Sequence, residues 1–231
     1  MPGPIIQELP SFLGYYNIIF VAQAALTTLA LSAIGCLTGT VAGLALVLVR
    51  MTERTALVPF RWLAVLLVEI FRRVPFLVTL MLVFFAFQLS GGDLPLFWVA
   101  AISVSLIASA FLAEIIRAGF LSVHRNQWDA AAAMNFGLLA AIWYVVLPQA
   151  WRVILPPAFG FFVMFIKDTA LASQIGVIEL TYAAKVLNNK GFSATLAFGA
   201  ILVVYFAISY PLARLGARLE AKLAPSRTDR H

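Results

Sequence analysis

Lys167, Asp168 and Thr169 are consecutive, so an ammonium, a carboxylate and a hydroxyl stand together just after a long uncharged run. Ionisable groups below a membrane surface are costly unless they pair or line a water-filled cavity, and the triplet therefore points to a solute pathway. The plainer alternative is a self-satisfied pair marking a helix end. Glu69 has Arg72 and Arg73 at i,i+3 and i,i+4, and Glu114 has Arg117 at i,i+3, the spacing of local ion pairs that anchor a helix. Arg72 stands apart from these because it precedes the Pro75 break, and transporters bind solutes where helices are discontinuous. Catalytic chemistry is scarce by comparison. Cys36 is the single cysteine and lies in an apolar run, which excludes an intramolecular disulfide. His124 and His231 have no partners at metal-ligand spacing. No glycine is followed by lysine, so the chain lacks the phosphate loop of a nucleotide-hydrolysing protein.

The elements that must position these groups are membrane spans. Of the 231 residues, 63% are hydrophobic and 11% charged, with mean hydropathy +0.98, which excludes an ordinary soluble domain. Uncharged stretches at 9–49, 74–92, 94–113, 130–151, 153–166 and 191–213 are helical by their uninterrupted apolarity, and the β-barrel alternation is absent. The start has no basic region and carries Glu8, so the first apolar helix is expected to remain as a span. Spans are expected within Val21–Val49 and at about 76–89, 96–118, 150–170 and 193–213. An interfacial helix over 55–71 is expected to turn inward at Pro75. Gly35, Gly39 and Gly43 form successive G-x-x-x-G units, a surface for close helix packing.

The stretch 130–151 is long enough to cross, yet the charge distribution argues that it does not. With five spans, 13 basic residues fall on one side and only Lys167, Lys185 and Lys190 on the other, whereas a sixth crossing weakens the split to 10 against 6. The positive-inside rule thus favours five spans, the N-terminus outside and the C-terminus in the cytoplasm. The basic excess reports orientation, and no basic patch interleaved with aromatics suggests nucleic acid. Residues 122–150 then form a cytoplasmic loop. Asp129–Met134 is strongly helical, Asn135 and Gly137 tolerate the left-handed conformation needed to turn, and a second short helix over 138–146 is expected to end at Pro148. Either lipid or a partner must cover so apolar a hairpin.

That loop, Asn126-Gln127-Trp128-Asp129-Ala130-Ala131 followed by Asn135 and by Val146-Leu147-Pro148, resembles the EAA loop of ABC importer permeases. The polar amino-acid branch is the nearest likeness, through Leu26–Leu31, Glu69-Ile70-Phe71-Arg72 with Pro75, Ala113–Arg117, Leu155-Pro156-Pro157, Lys167-Asp168-Thr169 and Ile175–Thr181, in family order over about 20–220. Asp129 stands where Glu is usual and keeps a carboxylate at a helix start. Asn135 replaces the usual Gly, and Arg73-Val74 replaces a small pair. The resemblance implies an all-α, type I importer permease fold of about five spans forming one domain over 1–231, in a bacterial inner membrane. It implies an amino-acid path formed with a second permease, identical or homologous, an external amino-acid-binding protein, and a cytoplasmic ATPase dimer that carries the ATP and magnesium, with no cofactor in this chain. Trp128, Asp129, Ala130, Ala131, Asn135, Phe136 and Gly137 are the implied ATPase contacts. Lys167, Asp168, Thr169, Arg72 and Glu69 are the pathway candidates, since an amino acid's carboxylate and ammonium answer Lys167 and Asp168, with Thr169 adding a neutral hydrogen bond. The competing class, a self-contained secondary transporter or channel, calls for internal repeats or a selectivity filter, and neither is found.

Overall fold

A computed structural model describes the backbone of residues 4–52 and 54–223 and the side chains from Gln7 onward within that range; Arg227, Arg230 and His231 lie outside the described residues. A short helix α1 (Pro4–Phe12) precedes α2 (Tyr15–Met51). Then follow α3 (Val58–Arg73), α4 (Phe76–Leu89), α5 (Leu96–Leu121), α6 (Arg125–Ala133), α7 (Leu138–Ala141), α8 (Leu147–Asp168), α9 (Leu180–Asn189) and α10 (Ala194–Leu223). The described residues contain helices and no strand.

Among the described residues, four helical runs are long and apolar enough to cross a membrane on their own: α2, α5, the run Leu138–Ile175 and α10. At a rise of 1.5 Å per residue, the 14 residues of α4 reach only about 21 Å, short of a ~30 Å core. It becomes a crossing only together with α3, from which it is bent by 116° at Val74-Pro75. Pro75 cannot donate the backbone bond a continuous helix needs, and its ring disfavours helical geometry at Val74, which is extended (φ −82°, ψ 134°). The expected elbow is present. The helix before it, however, does not lie free on a surface: Ala64 and Val68 are buried, and Val68 packs in a cluster with Val47, Ala113 and Ile116.

The centre of the bundle is the α2–α5 pair. Gly35, Gly39 and Gly43 lie along its seam, where a Cβ on Gly39 would stand 2.5 Å from the Ala108 Cβ and one on Gly43 would stand 2.8 Å from the Ala113 backbone nitrogen. Missing side chains here let two backbones approach, and Thr38 Oγ1 lies 2.7 Å from Ser105 Oγ at the same seam.

The expectation that the second loop helix stops at Pro148 is corrected. From Leu138 the chain stays helical to Asp168, passing through a π-helical stretch at Ile142–Val146 and over Pro148, Pro156 and Pro157. The wider π turn lies immediately before Pro148, where the proline lacks an N–H and would clash with the preceding turn, so the helix loosens rather than ends. The helix consequently begins a dozen residues before 150, and Lys167 and Asp168 sit at the end of a 31-residue helical run of about 46 Å.

Candidate functional site: a loop at one end and a polar groove at the other

The loop after α5 is held at both sides. His124 caps α6 by accepting from Asn126 N at 3.3 Å. At the other end Asn135 adopts φ 60°, while Phe136 N donates to Ala131 O at 3.0 Å and Asn135 N to Ala132 O at 2.9 Å. These two bonds and the left-handed residue form a Schellman turn. Asn135 therefore does the work expected of it. Gly137 is extended at φ −69° and only precedes α7.

The seven loop positions divide by face. Trp128 packs against the Val47–Ala113–Phe120 cluster, and Ala131, three residues on, is 1% exposed. The reading of Ala131 as a partner contact is corrected: 128 and 131 are the inward stripe that fastens the loop to the bundle. Asp129, Ala130, Asn135 and Gly137 are exposed, and Phe136 is half-buried. The outward surface is wider than the motif, because Met134, Leu139, Trp143 and Tyr144 are exposed large apolar residues beside it.

Close to that end, one carboxylate gathers three arginines. Glu114 of α5 accepts from Arg117 Nε at 2.7 Å and from Arg50 Nη1 of α2 at 3.2 Å, and Arg72 Nη1 of α3 stands at 3.8 Å. Glu69 is engaged by Arg73, whose Nε and Nη2 donate to its Oε2 at 2.9 and 2.7 Å. Local spacing anticipated Glu114–Arg117 and Glu69–Arg73. Arg50 and Arg72 are brought in by tertiary packing. Arg72 and Glu69, so engaged, form no hydrogen bond or ion pair with Lys167 or Asp168 among the described residues.

At the other end, Lys167 is exposed and Asp168 half-buried, and neither side chain forms a hydrogen bond or an ion pair within 4 Å among the described residues. Thr169 is turned away from them: it is buried, and its hydroxyl donates to Ile166 O at 2.7 Å. Lys167 borders a groove of about 340 Å³ with Ala170, Thr181, Phe198, Ile201 and Tyr205.

Behind this groove lies a carboxylate that the residue pattern did not single out. Glu179 is 0% exposed and caps α9, accepting from Tyr182 N at 2.8 Å and Thr181 N at 2.9 Å. Tyr205 of α10 donates its hydroxyl to the same carboxylate at 2.8 Å and lies 3.3 Å from Thr181 Oγ1. Thr28 of α2 accepts from Leu180 N at 3.2 Å, so three helices meet at one network. Burial pushes the Glu179 carboxyl above the ordinary carboxylate range, opposed by its N–H and hydroxyl donors and by the charge of Lys185. Glutamate is not among the residues favoured at a helix N-cap, so neither its capping role nor its burial was legible in the sequence.

Residues 57–224 match the model of the family described as "Binding-protein-dependent transport system inner membrane component". The chain belongs to that family. This permease is 34% identical over 197 residues to a probable amino-acid ABC transporter permease of Bacillus subtilis, covering 85% of this chain and 86% of the relative. It is 31% identical over 162 residues to the glutamine transport system permease of Escherichia coli, covering 69% and 74%. The L-cystine transport system permease of Bacillus subtilis is 33% identical over 183 residues, with 79% and 74% covered. Among solved structures, the crystal structure of an amino acid ABC transporter with histidines superposes at TM-score 0.82 and 25% identity, covering 96% of the permease and all of that chain. The inward-facing methionine transporter MetNI shares the fold at TM-score 0.75 and 20% identity, with 92% of the permease covered. The all-helical importer-permease fold expected from the loop motif is thus the fold observed. As a permease component the chain is a membrane subunit rather than an enzyme.

Proposed function

We propose that this permease is the membrane subunit of an ATP-driven importer of polar or charged amino acids in a bacterial inner membrane, with its N-terminus outside and its C-terminus in the cytoplasm. The amino-acid relatives support the substrate class, and the distribution of basic residues supports the orientation. The observation that carries the coupling is the division of the α6 loop into a fastened face and a free one. Trp128 packs on the core that also holds Val47 and Val146 and Ala131 is buried, while Asp129, Ala130 and Asn135 are exposed. A short helix fastened to α5 and α8 transmits a push at its tip as a rocking of both. The partner that pushes is a dimer of cytoplasmic ATPases, which holds the ATP and magnesium.

Five spans enclose little space, and a second permease, identical or homologous, completes the path. An external amino-acid-binding protein delivers the solute. Lys167 and Asp168 answer the carboxylate and ammonium of that solute from the far end of α8, and Arg72 with Glu69 stands at the α3–α4 elbow as a separate charged station. Co-purification tests the assembly. The tagged wild-type permease should retain an ATPase chain identifiable by mass spectrometry, and D129R/A130E should lose it while remaining in the membrane. Retention of the ATPase by that variant would remove the loop from the interface.

A further inference from the structure

We propose that the groove between α8, α9 and α10 is a carboxylate-binding subsite in which Lys167 and the Thr181 hydroxyl are the donors and Glu179, through Tyr205, is the positioning residue. This rests on the amino-acid reading above and specifies which end of the solute the groove takes. Lys167 brings to the rim an ammonium with no hydrogen-bond or ion-pair partner among the described residues. The same groove is lined by apolar Ile201, Leu202 and Phe198 and by two hydroxyl-bearing residues, Thr181 and Tyr205. A hydroxyl has one proton to give. Tyr205 gives its proton to Glu179 Oε2 at 2.8 Å, so toward Thr181, 3.3 Å away, it offers only lone pairs. The Thr181 hydroxyl then donates to Tyr205 when the groove is empty and can swing to an incoming anion; the Thr28 hydroxyl, which accepts from Leu180 N, also reaches Tyr205 from the side of α2.

An ammonium and a rotatable hydroxyl donor on an otherwise apolar wall favour a carboxylate, which is charged and can accept from both, over a carboxamide, which is neutral and has a single accepting oxygen. The α9 cap makes this arrangement stiff. The same carboxylate that orients Tyr205 also accepts from Thr181 N, so the backbone of the ligand-facing threonine and the phenol beside it are located by one buried group.

The test uses the purified permease–ATPase complex without its external receptor, so that receptor selectivity does not enter. Binding of radiolabelled L-glutamine, L-histidine, L-glutamate and L-cystine is competed with the corresponding α-carboxamides. The wild-type complex should prefer the amino acid over its amide by roughly tenfold or more, the effect of one lost charge-assisted bond. K167Q and T181V should each bring that preference to within about twofold, while K167R and T181S, which keep the charge and the hydroxyl, should retain most of it. E179Q should weaken the preference when Tyr205 is present and have no further effect in a Y205F background, a coupling that general destabilisation would not produce. Absence of the preference in the wild type, or an unchanged preference in both K167Q and T181V, would overturn the subsite. A complete transporter that carries none of the four amino acids would instead overturn the substrate class.

Discussion

Glu114 and Glu179 are both enclosed carboxylates that tie helices together, and they are satisfied by opposite means. Glu179 is fully buried and is met by two backbone N–H groups and a phenol, neutral donors fixed in direction by the helix they cap. Glu114 keeps 17% of its side chain exposed and is met by three arginines from α2, α3 and α5, each on a long flexible arm. Neutral directed donors give one rigid arrangement. The guanidiniums reach Glu114 from three helices on long side chains, so that tie rests on charge rather than on a fixed donor direction. The directed network stands beside the proposed solute groove and the charged one near the loop proposed to couple to the ATPase.

The largest effect that would break this contrast is expected at Glu179. Replacing it with Ala orphans two backbone donors and the Tyr205 hydroxyl, at about 1–3 kcal/mol each for a buried group, so E179A should lower the thermal midpoint of the detergent-purified protein severely. A midpoint equal to wild type would show that water replaces the carboxylate. E114Q should cost less, on the order of 1–2 kcal/mol, because water reaches the arginines it leaves behind. That loss should shrink in high salt, whereas the E179A loss should not, and equal salt dependence for the two would erase the distinction. Asn135→Val should cost about 1–2 kcal/mol by placing a β-branched residue at φ 60°, and Asn135→Gly should be close to neutral; circular dichroism melts would register both. Gly137→Ala should be smallest of all, since that residue has negative φ and open space at its Cβ position.

What could be read from the residues follows the range of the forces involved. Apolar runs, the Pro75 elbow, the Asn135 turn and the glycine seam are set by neighbours within a few positions, and all were legible. Glu114–Arg117 was legible for the same reason. Arg50 and Arg72 were not, because their meeting with Glu114 depends on how α2, α3 and α5 pack. The same limit hid the inward turn of Ala131: on an alanine-rich helix each face has the same hydropathy, and only Trp128 indicates which side is fastened. Pro148 misled as a helix end because a π turn, invisible to periodicity, absorbs it. Thr169 reads as a free hydroxyl by composition, yet at a helix end its shortest bond is to the carbonyl three residues back.

The central claim is that outside solute movement is driven through the free face of the α6 loop. Proteoliposomes holding the permease, its ATPase and the external receptor, loaded with or without ATP, measure this directly as uptake of radiolabelled amino acid. The account predicts accumulation that requires internal ATP and is abolished by D129R/A130E with the protein still folded. Accumulation that persists without ATP, or that the loop variant leaves intact, would contradict it.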